Sequence, residues 1–149
     1  MNVIAWSQNL TAEKAAEHGV RAVSKEELFA ESDVLSIHLV LSSRSRGLVG
    51  AAELAAMKDT AILVNTSRGP IIDEAALIDA LRAGRIGKAA LDVYDTEPLP
   101  ADHPLRPLPN ALLTPHIGYV SRELYETFYG DAVADIAAFA AGSPVRVMG

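Results

Sequence analysis

The chain has 149 residues, half of them apolar, and a net charge of −6. That length holds one domain with a proper core but not two large ones, and the composition is globular rather than disordered. With no cysteine, disulfides, a thiol nucleophile and a cysteine-based zinc site are excluded; scattered Lys and Arg in an acidic chain argue against a nucleic-acid surface.

Asn2–Trp6 reads as a strand that starts almost at the first residue, which suggests that something normally precedes it. Thr11–His18 reads as a helix stopped by Gly19, and Val20–Val23 as a brief strand. Ser24-Lys25-Glu26-Glu27 is a capping box that opens a helix to about Glu31. Val34–Leu41, with His38 inside it, reads as a strand largely apolar on both faces, as buried parallel strands are. Ser42–Gly47 is a loop, Ala51–Met57 a helix and Ala61–Val64 a short strand. Asp73 caps a helix whose Ala76, Leu77, Ala80 and Leu81 repeat at helical spacing, and Gly84 ends it. Lys88–Val93 is the next strand. The segment from Glu97 to Pro109 holds five of the eight prolines and reads as a rigid loop. Ala111–Thr114 is the last strand. Ser121 then opens a long helix to about Ala141, with Leu124, Phe128, Val133, Ile136 and Phe139 near one stripe.

This alternation predicts an α/β fold with a mostly parallel sheet flanked by helices, of Rossmann type. The phosphate-binding pattern Gly-x-Gly-x-x-Gly is absent from the 149 residues. In such sheets ligands bind beyond the carboxyl ends of the strands. Three apolar runs lead into ionisable residues: Ala61–Val64 into Arg68, Leu91–Val93 into Glu97, and Ala111–Leu113 into His116. Parallel strands would bring all three to one edge of one sheet.

Three stretches carry a family resemblance: Asn65-Thr66-Ser67-Arg68-Gly69-Pro70-Ile71-Ile72-Asp73-Glu74-Ala75-Ala76-Leu77, Ala90-Leu91-Asp92-Val93-Tyr94-Asp95-Thr96-Glu97-Pro98-Leu99, and Leu113-Thr114-Pro115-His116-Ile117-Gly118. In this order and spacing they closely resemble the D-isomer-specific 2-hydroxyacid dehydrogenases, which include phosphoglycerate, glyoxylate/hydroxypyruvate and formate dehydrogenases. The resemblance implies that residues 1–149 are part of a dinucleotide-binding domain, with 121–149 its closing helix and tail. Met1 falls where the family's second strand begins. The first strand, the glycine-rich loop and the N-terminal substrate domain are then expected to be missing from this chain.

The same resemblance implies hydride transfer between a nicotinamide and C2 of a 2-hydroxy or 2-keto acid. The accompanying proton needs a group titrating near neutral pH, for which His116 is the candidate. A neighbouring carboxylate stabilises imidazolium, and Glu97 is the candidate partner. A guanidinium fork can grip carboxylate and carbonyl side by side, which suits Arg68. Taken singly, a loop arginine is more often solvated and a lone histidine structural; the three together in this context favour catalysis.

The resemblance also implies cofactor contacts from Ser7, His38, Leu39, Val40, Thr66, Ser67, Arg68, Asp92, His116 and Gly118. Asp92 has a second reading, as an acid meeting a helix terminus. Val40 stands where the family usually has proline. Ser7 stands where NAD users usually carry an acid, so NAD and NADP both stay open, with the balance towards NAD. His18 and His103 carry no ligand-like spacing, and no metal is expected. No apolar run approaches the ~20 residues of a membrane helix, and no signal pattern opens the chain, so the expected setting is cytoplasmic. A homo-oligomer is expected, because an absent first strand exposes a sheet edge. Two further readings stand beside the enzyme: a non-catalytic nucleotide-binding or interaction module, and a fragment stabilised by pairing with another copy.

Overall fold

The computed structural model describes residues 1–148 and divides into two compact units, one spanning Met1–His116 and one beginning at Ile117. The first unit is α/β. Two short strands, β1 (Ile4–Ala5) and β2 (Arg21–Ala22), pair in parallel around helix α1 (Ala12–Ala16). A second sheet has four parallel strands in the order β3-β4-β5-β6: Val34–Ile37, Ile62–Asn65, Lys88–Leu91 and Ala111–Leu113. Helices α2 (Lys25–Glu31), α3 (Ala51–Ala56) and α4 (Glu74–Arg82) provide connections between strands.

Local chemistry explains the helix ends. The Ser24 hydroxyl accepts from the Glu27 N–H, and the Ser24 N–H donates to the Glu27 carboxylate, completing the expected capping box on α2. The Asp73 carboxylate accepts from the Ala76 N–H and starts α4. Gly84, with φ +63°, turns the chain out of α4 in the left-handed region that glycine enters freely. Lys25 and Glu53 form a 2.6 Å ion pair that links α2 to α3.

The core is continuous from α2 to the proline-rich segment. Leu54, Met57, Leu63, Ile71, Leu77, Ile86 and Leu105 are all buried. Leu63 and Ala89 bring the middle of β4 and β5 into it, and Leu77 and Leu81 do the same for one face of α4.

The expected elements are present, with shorter strands. β3 ends at Ile37, so His38 lies just past the strand rather than inside it. Its burial alternates, with Leu35 and Ile37 inside and Val34 60% exposed. The reading of a strand apolar on both faces is therefore corrected. Among the described residues β3 pairs with β4 alone, so one of its edges carries no ladder. A short 3-10 turn, Gly69–Ile71, precedes α4, where local sequence pattern gives no sign of regular structure.

The second unit holds α5 (Arg122–Ala140). The Ser121 hydroxyl caps it by accepting from the Leu124 N–H. No residue of α5 is buried; Phe128, Val133, Ile136 and Phe139 are exposed. Among the described residues no helix is long and apolar enough to cross a membrane.

Burial decides which side chains carry stability. Leu63→Ala should lower unfolding free energy by about 3 kcal/mol, within the range for a buried leucine in a packed core. Val34→Ala should change it by less than about 0.5 kcal/mol. Urea unfolding of the two variants measures the contrast.

Candidate active site

In the four-stranded sheet Ile37, Asn65, Leu91 and Leu113 are register partners in a row and are the last residues of their strands. Parallel pairing therefore sends four connections out of one edge. His38, Thr66, Asp92 and Thr114 form the first step beyond it. Arg68, Glu97 and His116 lie a few residues further along three of the same connections.

The structure brings Glu97 and His116 into direct contact. His116 Nδ1 lies 2.6 Å from Glu97 Oε2, and the other carboxylate oxygen accepts from the Tyr94 N–H at 2.9 Å. Burial pushes the Glu97 carboxyl up. The hydrogen bonds from His116 and the Tyr94 N–H, with the positive charges of His116 and Arg68, outweigh it and hold the group below its ordinary value of 4.5. An ionised carboxylate can only accept, so Nδ1 is the ring nitrogen that carries the proton in this contact. His116 has φ +57°, a left-handed conformation uncommon outside glycine. Such backbone strain persists where its surroundings over-determine it.

Glu97 and His116 line a cavity of about 270 Å³ together with Tyr94, Leu99, Arg106 and Thr114. Arg106 donates to the Pro100 and Leu99 carbonyls, each at 2.7 Å, and so braces the loop that follows Glu97. The Glu97–Pro98 peptide is cis.

Arg68 is exposed and does not line that cavity. Its Nη1 donates to the Ser67 carbonyl at 2.6 Å. Its turn is built by Asn65, which is 1% exposed. Asn65 Nδ2 donates to the Arg68 carbonyl and Oδ1 accepts from the Ser67 N–H. A side-chain amide thus supplies the hydrogen bonds of a tight turn.

The other expected site residues fall at strand ends, in differing states. Ser7 is partly buried, two residues past β1. His38 and Val40 are exposed past β3 and Leu39 is half-buried; His38 Nε2 is 2.9 Å from the Ser36 hydroxyl. Thr66 is exposed, while the Ser67 hydroxyl donates to the Ile37 carbonyl and ties the β4 loop to the end of β3. Asp92 is 5% exposed and accepts from the Thr114 hydroxyl, joining β5 to β6. Gly118 belongs to the second unit. His103, in the proline-rich loop, has its Nε2 3.1 Å from Glu74 Oε1. Among the described residues no group of His, Cys, Asp and Glu could hold a metal. Sequence pattern alone does not point to Asn65, Tyr94 or Arg106. Asn65 and Tyr94 stood inside the recognised stretches, but only their hydrogen bonds reveal their roles.

The sequence model described as "D-isomer specific 2-hydroxyacid dehydrogenase, NAD binding domain" matches residues 1–118. The chain belongs to this family. Glyoxylate reductase of Aeropyrum pernix is 46% identical over 142 residues, which are 95% of this chain and 42% of that enzyme. Among solved structures, the phosphoglycerate oxidoreductase of Vibrio cholerae O395 superposes with a TM-score of 0.86 at 40% identity, covering 95% of this chain and 46% of that one. A D-isomer-specific 2-hydroxyacid dehydrogenase of Xanthobacter autotrophicus Py2, in complex with NADPH and MES, gives 0.72 at 38% identity, covering 97% and 59%. This dehydrogenase-family chain therefore spans about half the length of the relatives it matches.

The lowered Glu97 carboxyl has a defined sign. Ionised Glu97 favours the folded chain above about pH 4.5, and that contribution is lost as pH falls through the lowered folded-state value. Glu97→Gln should therefore be less stable than the parent chain near neutral pH. The gap should close as the pH falls below the lowered folded-state value. Thermal unfolding followed from neutral pH into acid tests it.

Proposed function

We propose that this chain is the catalytic and cofactor-binding part of an NAD(P)-dependent dehydrogenase that reduces 2-keto acids to D-2-hydroxy acids. The observation that carries this reading is the 2.6 Å contact between His116 and Glu97 at the carboxyl edge of a parallel sheet. In the reduction, His116 gives a proton to the carbonyl oxygen as hydride reaches C2. Because Glu97 engages Nδ1, the exchange falls to Nε2. Glu97 compensates the imidazolium charge and keeps the ring oriented. Arg68 grips the substrate carboxylate through its guanidinium fork, exchanging its contact with the Ser67 carbonyl for the ligand.

A bound dinucleotide would supply the hydride. The residues fit such a group: the ends of β3 and β4 present exposed His38, Val40 and Thr66, and Ser7 past β1 is neutral. The contacts assigned to it are Ser7, His38, Leu39, Val40, Thr66, Ser67, Arg68, Asp92, His116 and Gly118. NAD is favoured slightly, because neither Gln8 nor Asn9 offers a cation for a 2′-phosphate. The 149 residues contain no glycine-rich pyrophosphate loop and no separate substrate domain, so the isolated chain should bind dinucleotide weakly and turn over little or nothing. The setting proposed is cytoplasmic.

Activity is tested in a chimera that joins the N-terminal portion of the Aeropyrum pernix enzyme to this chain, with glyoxylate and NADH or NADPH. His116→Ala should lower kcat about 10²–10⁴-fold. Arg68→Lys should raise KM and lower kcat/KM, because an ammonium cannot make the paired contact. Unchanged kinetics in both variants would refute the assigned roles.

We further propose that the isolated chain self-associates. β1 pairs with β2 alone and β3 with β4 alone, so each presents an edge without a ladder among the described residues. Sedimentation should give a dimer or larger species, and a monomer at all concentrations would overturn this.

A further inference from the structure

We propose that Tyr94 is a positioning residue that holds the His116–Glu97 pair in register with the Arg68 turn. The proposal rests on the catalytic reading above but concerns a residue that reading does not use. Tyr94 is 6% exposed, lies on the connection that carries Glu97, and meets the other two at Thr114 and Gly69. Its phenol lies 3.0 Å from the Leu91 carbonyl and 2.9 Å from the Thr114 carbonyl. Leu91 ends β5, and Thr114 follows β6, two residues before His116. One hydroxyl therefore spans the two strand ends from which the Glu97 and His116 segments leave.

The Tyr94 backbone does the second part. Its N–H engages Glu97 Oε1, which turns Oε2 towards His116. The third contact is with Gly69, next to Arg68. A Cβ at Gly69 would lie 2.6 Å from the Asp95 nitrogen and closer still to the Tyr94 carbonyl. Only a hydrogen side chain lets the Arg68 turn lie flat on the Tyr94–Asp95 peptide. Burial, with the Asp92 charge next in weight, pushes the Tyr94 phenol above its ordinary value of 10.0. At neutral pH it is a protonated donor facing two acceptor carbonyls. A ring that merely filled the core would need neither carbonyl.

Tyr94→Phe in the 149-residue chain separates positioning from packing, because it keeps the ring and removes the hydroxyl. Urea unfolding first establishes that the variant is folded. Two readouts follow by NMR, without substrate or cofactor: the Glu97 carboxyl titration, and the His116 Nδ1–H resonance, which the 2.6 Å contact should hold downfield in the parent chain. The Glu97 midpoint should rise by roughly half a pH unit, the equivalent of weakening one modest hydrogen bond. The Nδ1–H signal should move upfield or exchange away. A folded variant with both signals unchanged would overturn the proposal and leave Tyr94 a packing residue. A 3-fluorotyrosine at position 94 of the parent chain covers the case in which the phenylalanine variant does not fold. Its fluorine resonance should follow the Glu97 titration and lose that response in Glu97→Gln; a flat response would equally overturn the proposal. Neither readout involves turnover, so failure of the catalytic roles in the chimera is distinguishable from failure here.

Discussion

Parallel pairing aligns Ile37, Asn65, Leu91 and Leu113 as the terminal row of one sheet. Each strand runs in the same direction, so each connection leaves from the same edge, and the polar side chains that follow are forced into one neighbourhood. The apolar middle of the ladder makes the row rigid. Leu63 and Ala89 are buried and cannot slip by one residue without exposing themselves. The short separation between Glu97 and His116 follows from this register.

Above the row, polar contacts replace apolar packing. Asn65 folds the Arg68 turn, Ser67 ties it back to β3, and Asp92 with Thr114 ties β5 to β6. Among the described residues, every buried side-chain polar atom has a hydrogen-bond partner. That matters because an unsatisfied buried polar group costs about 1–3 kcal/mol. The left-handed His116 backbone adds strain on the order of 1 kcal/mol. The contact with Glu97 is among the interactions that offset it.

The periodicity of α4, the capping box of α2 and the apolar runs of β4 to β6 were legible because each depends on residues close in sequence. His38 was misplaced for a related reason. The run from Val34 to Leu41 is largely apolar, with Ser36 and His38 its polar positions, and nothing in it marks where the ladder stops. That limit is set by the pairing partner: β4 ends at Asn65, opposite Ile37. α5 carries apolar residues that local pattern assigns to a stripe, yet Leu124, Phe128, Val133, Ile136 and Phe139 are all exposed. Pattern shows which residues a helix can bury, and burial itself needs a partner surface.

The sequence alone determined the α/β class, the order of elements and the family, and it supplied the residues proposed for proton transfer and carboxylate binding. These are written in short-range patterns and in side-chain chemistry. The tertiary structure alone decided that Glu97 meets His116 through Nδ1, that Arg68 stands outside their cavity, and that Gly69, Tyr94 and Thr114 join the segments carrying them. Those facts are distances between residues about 20 to 45 positions apart. Strand register and close backbone approach set such distances, and no local pattern encodes them.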